Sequence, residues 1–259
     1  MIELFARIAE VGDEVLLVAF LVFLRVGAAV AVLPVVGEQS VPQRVRLVIA
    51  LCFTAVVTPA VFSLFSEVEP TPASTLRFLF SEVISGLAIG LSLRLFVHAL
   101  QIAGSVAAQS TSLSQIFGGA TAEPQPAIGH LFLVAGLALA VSFGLHVQAA
   151  QFLVYSYEIL EPGKFPGGAE FSAWGVYRIS RAFGLAFSLA APFVIASLIY
   201  NTAMGVINRA MPQLMVSFVG APAITAGGLI LLFVTTPLIL QVWMAALTYF
   251  LNDPFGISP

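Results

Sequence analysis

Charge is the scarcest property of this chain of 259 residues, of which only 9% are Asp, Glu, Lys or Arg. Soluble domains carry roughly a quarter charged residues. Three long stretches, 124–157, 182–208 and 210–252, have no charged residue in their sequence, and the mean hydropathy is +1.03. Water does not tolerate so much apolar surface, so most of the chain is surrounded by lipid or by other apolar protein. A soluble enzyme with a water-filled cleft is thereby excluded.

Cysteine, histidine and clustered basic residues are also scarce. The single cysteine, Cys52, cannot form an internal disulfide, and its apolar neighbours in sequence predict a buried thiol. His98, His130 and His146 stand far apart, so we expect no metal site and no cofactor. The sequence contains no paired Asp, Ser–His or metal constellation, and we therefore expect no catalytic residue. The ten Lys and Arg residues form no basic stripe, which argues against nucleic-acid binding.

Long apolar segments, separated by polar or Pro- and Gly-rich connections, predict an all-α integral membrane protein with about six hydrophobic helices. Proline inside or near the end of a span should kink or end its helix. Residues 1–14 combine an apolar helical period with acidic residues, which predicts an amphipathic segment at the membrane surface. We expect residues 1–259 to form a single membrane domain. Its predicted spans are Val15–Val36, Val45–Phe65, Leu76–Leu100, Ile128–Tyr155, Ala182–Val206 and Ala223–Phe250.

Away from the span ends, three charged residues lie inside predicted spans, where a charge is costly and marks a candidate functional site. Arg25 lies too far from either end of its span to reach water by extending its side chain. Glu82 and Arg94 are about 18 Å apart along one helix, so they cannot neutralise each other. Each needs a partner from another element. These residues form either a substrate or proton site, or structural ion pairs between helices or between chains.

Small residues share a helix face with the charges of the third predicted span. Polar and small residues recur there every four positions from Glu82 to His98, which places them along one ridge. The ridge contains the GxxxG motif Gly86–Gly90, which lets another helix approach closely. The fourth span repeats the spacing from Gly136 to Gly144. We predict tight packing, within the chain or between subunits, at Arg25, Glu82, Gly86, Gly90, Arg94, Gly136, Gly144 and Arg209.

The connection 101–127 is too polar to span a membrane, yet its only charged residue is Glu123. Small hydroxyl and amide groups suit a surface that meets both water and unfolded peptide. The large apolar Phe117 stands beside two glycines that can adopt positive φ. A pore-lining or pore-plugging segment has this character, and an ordinary flexible loop is the alternative. The predicted plug residues are Gln109, Ser112, Ser114, Gln115, Ile116, Phe117, Gly118 and Gly119.

Five groups of residues occur in a characteristic order along the chain: 33–50, 82–90, Gly104–Gln109, Gly144–His146 with Ser156 and Pro162–Gly163, and 201–213 leading to Gly220 and Pro222. Each motif is modest by itself, but their order and spacing together are fairly specific. The set resembles the FliR/SctT family of type III secretion export-gate proteins along essentially the whole chain. One departure is Glu123, where the family pattern has Asp, and the acidic group is retained.

The resemblance implies a subunit of the flagellar export gate in the bacterial inner membrane, at the flagellar basal body. Its helices would form kinked hairpins packed in a hetero-oligomer with FliP-like and FliQ-like subunits, with an FlhB-like protein near the entrance. Unfolded export substrates would pass through the pore that this assembly forms and closes. By the same resemblance, the loop around Ser105–Glu123 helps to plug the closed pore. The alternatives are an SctT-like gate subunit of an injectisome and a stand-alone multi-pass membrane transporter.

Overall fold

The computed structural model describes residues 2–65, 72–111, 127–211 and 216–256, with the backbone alone for 2–11, 13, 72–74, 216–219 and 221. All regular elements within these ranges are helical. Five of these helices are long and apolar enough to cross a membrane, and a broken pair makes a sixth candidate span. The prediction of an all-α membrane protein is confirmed. The helices are α1 (Ile2–Val32), α2 (Gln43–Val61), a 3-10 helix (Phe62–Phe65), α3 (Pro72–Ser110), α4 (Ala127–Ser142), α5 (Leu145–Ile159), α6 (Gly168–Ala210) and α7 (Val216–Asn252).

Several helices extend beyond the predicted spans. The N-terminal segment expected at the membrane surface is continuous with the first span in α1. Helix α3 continues past the predicted end at Leu100 to Ser110, so Gln109 lies on a helix. Hydropathy marks only the apolar part of a helix, whereas Ala and Gln continue the helical backbone beyond it.

The predicted fourth span is interrupted. Helix α4 ends at Ser142 and α5 begins at Leu145. Between them Gly144 has φ 78° and ψ 34°, a left-handed conformation that an α-helix cannot continue and that glycine adopts at little cost. The span predicted from Ile128 to Tyr155 is therefore a pair of helices bent by 73°. By contrast, Pro192 and Pro237 lie inside α6 and α7 without ending them.

The chain divides into two compact units, and the single-domain assignment stays a prediction. The first unit comprises Met1–Arg94, Val141–Arg178 and Pro254–Pro259, and the second comprises Leu95–Ala140 and Ile179–Asp253. Val22 and Val26 of α1 are fully buried in the first unit. In the second unit, the buried indole of Trp243 donates a hydrogen bond from Nε1 to the carbonyl oxygen of Phe96 over 2.8 Å.

Much of the apolar surface is not covered by the chain itself. Only 22% of the apolar span of α6 and 17% of that of α7 is buried. Cys52 on α2 is exposed, so the prediction of a buried thiol is wrong. Its apolar neighbours in sequence did not distinguish a core position from an outward apolar face. Such faces need lipid or other apolar protein as their surroundings.

Candidate functional site

A buried ion pair joins α1 to α3 in the first unit. Arg25 donates from Nε to Glu82 Oε2 over 2.7 Å and from Nη2 to Glu82 Oε1 over 3.0 Å. Both side chains are 0% exposed. The planar guanidinium matches a carboxylate in this two-point geometry, which Lys could not reproduce. The intramembrane charges at these two positions therefore neutralise each other, although they are far apart in sequence.

Further N–H groups of the Arg25 guanidinium donate to α5 and to the residue that follows it. Nη1 donates to Ser156 Oγ over 3.1 Å, and Nη2 donates to the carbonyl oxygen of Leu160 over 2.8 Å. The ring of Tyr157 lies 3.6 Å from the guanidinium carbon, a cation–π contact. A buried ion pair is stable when its other donors and acceptors are also satisfied. Arg25 thus links three separate segments of the first unit.

The turn at Gly163 is held against α3 by the same carboxylate. The backbone N–H of Gly163 donates to Glu82 Oε1 over 3.2 Å, and Arg77 Nε donates to the Gly163 carbonyl oxygen over 2.7 Å. Gly163 has φ 69°, and a Cβ there would overlap the ring of Phe78. Glycine is therefore required both by the left-handed backbone and by the close ring.

The glycines of the α3 ridge lie directly against α1. A Cβ on Gly86 would stand 2.9 Å from the carbonyl carbon of Arg25 and 3.0 Å from the Cβ of Ala28. A Cβ on Gly90 would stand 2.5 Å from the carbonyl oxygen of Ala29. Real side chains do not approach so closely, so these two positions bring the helix backbones together as GxxxG motifs do in membranes.

A second ion pair lies at the end of the same contact between α1 and α3. Arg94 donates from Nη1 to Glu38 Oε1 over 2.9 Å, and both side chains are about four-fifths buried, at 20% and 18% exposed. Arg46 of α2 donates to the Glu38 carbonyl oxygen over 2.5 Å. In the same connection Val35 has φ 73°, which is strained for a β-branched residue. Glu38 therefore fixes the strained connection between α1 and α2.

The contacts together form an intramolecular interface, which we call the α1–α3 ridge: Arg25 with Glu82, Gly86 and Gly90 against α1, and Glu38 with Arg94. Successive residues of α3, from Glu82 to Arg94, contact successive residues of the chain from Arg25 to Glu38, so α1 and α3 run parallel. Each charged member is paired, so the arrangement positions helices and offers no open site for a solute. Within the described residues, no group of three or more His, Cys, Asp or Glu could hold a metal ion.

The other predicted packing residues lie elsewhere. In the second unit, a Cβ on Gly136 would overlap the side chain of Leu100 and would lie 3.6 Å from the Trp243 ring. Among the described residues, apart from its neighbours in the chain, no atom lies within 4 Å of the Cβ position of Gly144, so its role here is to break the helix. Arg209 is exposed in the last turn of α6.

The residues predicted to plug a pore are only partly described by the structure. Gln109 is exposed on α3. The predicted plug residues between 112 and 119 lie outside the described residues.

Several residues of the interface are not predicted by the sequence. Glu38 lies in the connection after the first predicted span, where a carboxylate is unremarkable. Ser156 and Gly163 belong to the sequence motifs, which predict no partner for either residue. Leu160 contributes a backbone carbonyl, which leaves no signal in the sequence. Tyr157 is an aromatic residue in an apolar stretch, where core packing is the ordinary expectation.

The sequence comparisons agree with the motifs. The family model of the bacterial export proteins, family 1, matches residues 16–249. The chain belongs to this family. The matched range contains the whole α1–α3 ridge, with its partners on α5 and in the turn at Gly163. The resemblance that the motifs indicated is confirmed.

Individual members of the family match over most of their length. The chain is 33% identical to the flagellar biosynthetic protein FliR of Caulobacter vibrioides over 228 residues, 87% of this chain and 91% of that protein. It is 29% identical to the Bacillus subtilis protein of the same name over 232 residues, 86% of this chain and 87% of that protein. The Escherichia coli protein of that name is 27% identical over 222 residues, 83% of each chain.

Proposed function

We propose that this chain is a subunit of the flagellar type III protein export gate, located in the bacterial inner membrane at the flagellar basal body. There it helps to form and close the pore through which unfolded flagellar proteins are exported. The observation that carries the proposal is the family match over 16–249, together with relatives named as flagellar proteins. Those names favour the flagellar system over an injectisome.

The uncovered apolar helices support an assembly with other subunits. A chain whose last two helices bury about a fifth of their apolar spans must pack against lipid or protein. We infer FliP-like and FliQ-like subunits as the main neighbours, with an FlhB-like protein near the pore entrance. The paired charges argue against a stand-alone transporter, because Arg25, Glu82 and Arg94 are all engaged within the chain.

The proposed mechanism requires no covalent chemistry and no cofactor. Unfolded substrates thread through the pore, driven by other parts of the apparatus. This chain supplies part of the wall, and tight packing of small residues limits ion leakage. The segment 112–119 contributes to the plug and yields when a substrate arrives.

Co-expression tests the assembly. We expect the chain to co-purify in a fixed ratio with the FliP-like and FliQ-like proteins of the same organism, and to aggregate or be degraded without them, because binding stabilises only the folded state. Deletion of its gene should abolish motility and flagellar export. A chain that is monodisperse alone, ignores these subunits and transports a solute would contradict the proposal.

The plug assignment predicts a leak. Phe117→Ala and Gly118→Val should each raise ion leakage through the assembled gate and reduce motility, because the first removes the large apolar side chain and the second opposes positive φ. Leakage is measured in vesicles or in cells, with assembly verified by co-purification. Phe165→Ala, at an exposed loop phenylalanine, is the control and should behave as wild type. Wild-type leakage and motility in both plug variants would overturn the assignment.

A further inference from the structure

The part of α3 that belongs to the second unit carries a row of polar side chains on its outer face. His98, Gln101, Ser105 and Gln109 follow one another at intervals of three, four and four residues. At about 100° and 1.5 Å per residue, they lie within an arc of roughly 80° along about 16 Å of helix. His98 and Gln109 are exposed, and Gln101 and Ser105 are partly exposed. His98 Nδ1 donates to Gln101 Oε1 over 2.9 Å. We call these four residues the α3 polar stripe.

Helix α4 lies beside the middle of the stripe and has a mainly apolar outer face. A Cβ on Gly104 of α3 would overlap the backbone of Gly129 of α4, so the two helices touch there. Next to this contact α4 exposes Leu131 and Val134, at 44% and 52%, and also His130 in its first turn. The surroundings of α4 at the level of the stripe are therefore mainly apolar.

Helix α7 has a mainly apolar outer face along the whole length of the stripe. Trp243 bonds to the carbonyl oxygen of Phe96, just before the stripe begins. Gly228 lies against Thr111, just after the stripe ends. Between these two contacts α7 exposes one large polar side chain, Gln241. The large apolar side chains exposed there are Leu229, Ile230, Phe233, Val234, Leu238 and Val242.

The second unit therefore meets two kinds of surroundings at one level. Acyl chains or apolar helices suit the outer faces of α4 and α7, but they would leave the donors and acceptors of the stripe without partners. The stripe is not simply a part of α3 that has left the membrane, because its neighbours at the same level stay apolar. Polar side chains at membrane depth face a water-filled cavity or other protein.

The composition of the stripe selects between the remaining surroundings. It contains no Lys or Arg, so it does not suit the phosphate of a lipid headgroup. A closely packed partner helix requires small residues at the contact, whereas three of the four stripe residues are His or Gln. Long polar side chains in a row, one for each helical turn, suit water and an extended chain that needs hydrogen bonds.

We propose that the α3 polar stripe faces the aqueous lumen of the export pore and contacts the backbone of the unfolded polypeptide that passes through it. An unfolded chain carries an N–H and a carbonyl at nearly every residue, and Gln, Ser and His can pair with both. Because the stripe has no Asp, Glu, Lys or Arg, it does not select its substrates by charge. Helix α3 ends at Ser110, directly before the segment proposed as the plug. The inference rests on the proposed function and names the helix face that contacts the substrate.

Crosslinking to an arrested substrate tests which face meets the polypeptide. A flagellar export substrate fused to a stably folded domain arrests in the assembled gate, and a photo-crosslinking amino acid is placed at Gln101 or Ser105. Both positions should form adducts with the substrate. The matched controls are Val134 of α4 and Phe233 of α7, which lie at the same level and should form adducts only with lipid or with other subunits. Substrate adducts at all four positions, or at neither stripe position, would overturn the inference.

An apolar replacement separates contact with the substrate from contact with another subunit. Gln101→Leu combined with Ser105→Leu should slow secretion of an unfused substrate by about threefold or more, the scale of one lost hydrogen bond. The yield of co-purified complex should stay at the wild-type value, because both side chains lie on the outer face. Val134→Leu, which adds a leucine at the same level on the apolar face of α4, is the control and should export as wild type.

The outcomes distinguish this inference from the proposed function. A yield of complex that falls together with secretion would show that the stripe binds a subunit, and unchanged secretion would show that it does not contact the substrate. Either result overturns the inference and leaves the proposed function in place. A wild-type complex that neither assembles nor arrests a substrate contradicts the proposed function, and the inference falls with it.

Discussion

Glu82→Ala is expected to destabilise the chain by about 3–5 kcal/mol, the usual cost of leaving one member of a buried ion pair without its partner. Arg25 is 0% exposed, so its charge would face neither water nor a carboxylate. The backbone N–H of Gly163 would lose its acceptor as well. Most domains have only 5–15 kcal/mol of stability, so we expect little full-length protein in membranes and loss of motility. Immunoblotting of membranes and thermal unfolding of the purified complex measure the effect.

Two comparisons separate the buried charge from the lost contacts. Arg25→Met combined with Glu82→Leu removes both charges and should recover part of the stability, because apolar residues can replace a buried pair. Recovery should be incomplete, since the Leu160 carbonyl loses its donor. Glu161→Gln is the control, because its pair with Lys164 is exposed and should contribute little. A Glu82→Ala protein as abundant and stable as the Glu161→Gln protein would show that the Arg25 pair does not hold the helices.

Gly86→Ala should cost about 1–3 kcal/mol, although alanine is normally the better helix former. The added methyl would stand 2.9 Å from the carbonyl carbon of Arg25. The obstacle is backbone, so rotation of a side chain cannot remove it, and α1 must move away from α3. That movement also lengthens the hydrogen bonds between Arg25 and Glu82. Gly86→Val should be worse, and both variants are measured by thermal unfolding of the complex.

Gly184→Ala is the matched control for the ridge. Gly184 lies within α6, and a Cβ there would meet no atom within 4 Å in the described part of the chain, apart from the nearby backbone of α6 itself. Replacement should therefore be neutral, or stabilising by up to about 1 kcal/mol through lower backbone entropy of the unfolded chain. If both alanine variants unfold at the same temperature, the backbone contact at Gly86 is not what limits the packing of α1 and α3.

The sequence by itself determined the environment and the class of the protein. Scarce charge and long apolar stretches are properties of each segment alone, so they located the membrane helices without knowledge of their neighbours. The motifs, read in order, identified the family. The four-residue spacing from Glu82 to Arg94 also placed charges and glycines on one helix face, because helix geometry fixes the direction of each side chain.

Only the tertiary structure decided which groups meet. Arg25 needed a partner on physical grounds, but the sequence left open whether Glu82 or a residue of another chain supplies it, and it gave the carboxylate of Glu38, in the connection after α1, no partner at all. Gly144 had the spacing of a packing residue, yet its left-handed backbone breaks the helix. Cys52 had the composition of a core position and lies on an uncovered face. Hydropathy and periodicity report a residue's own helix, whereas ion pairs, close approaches and covered faces depend on which other helix lies beside it.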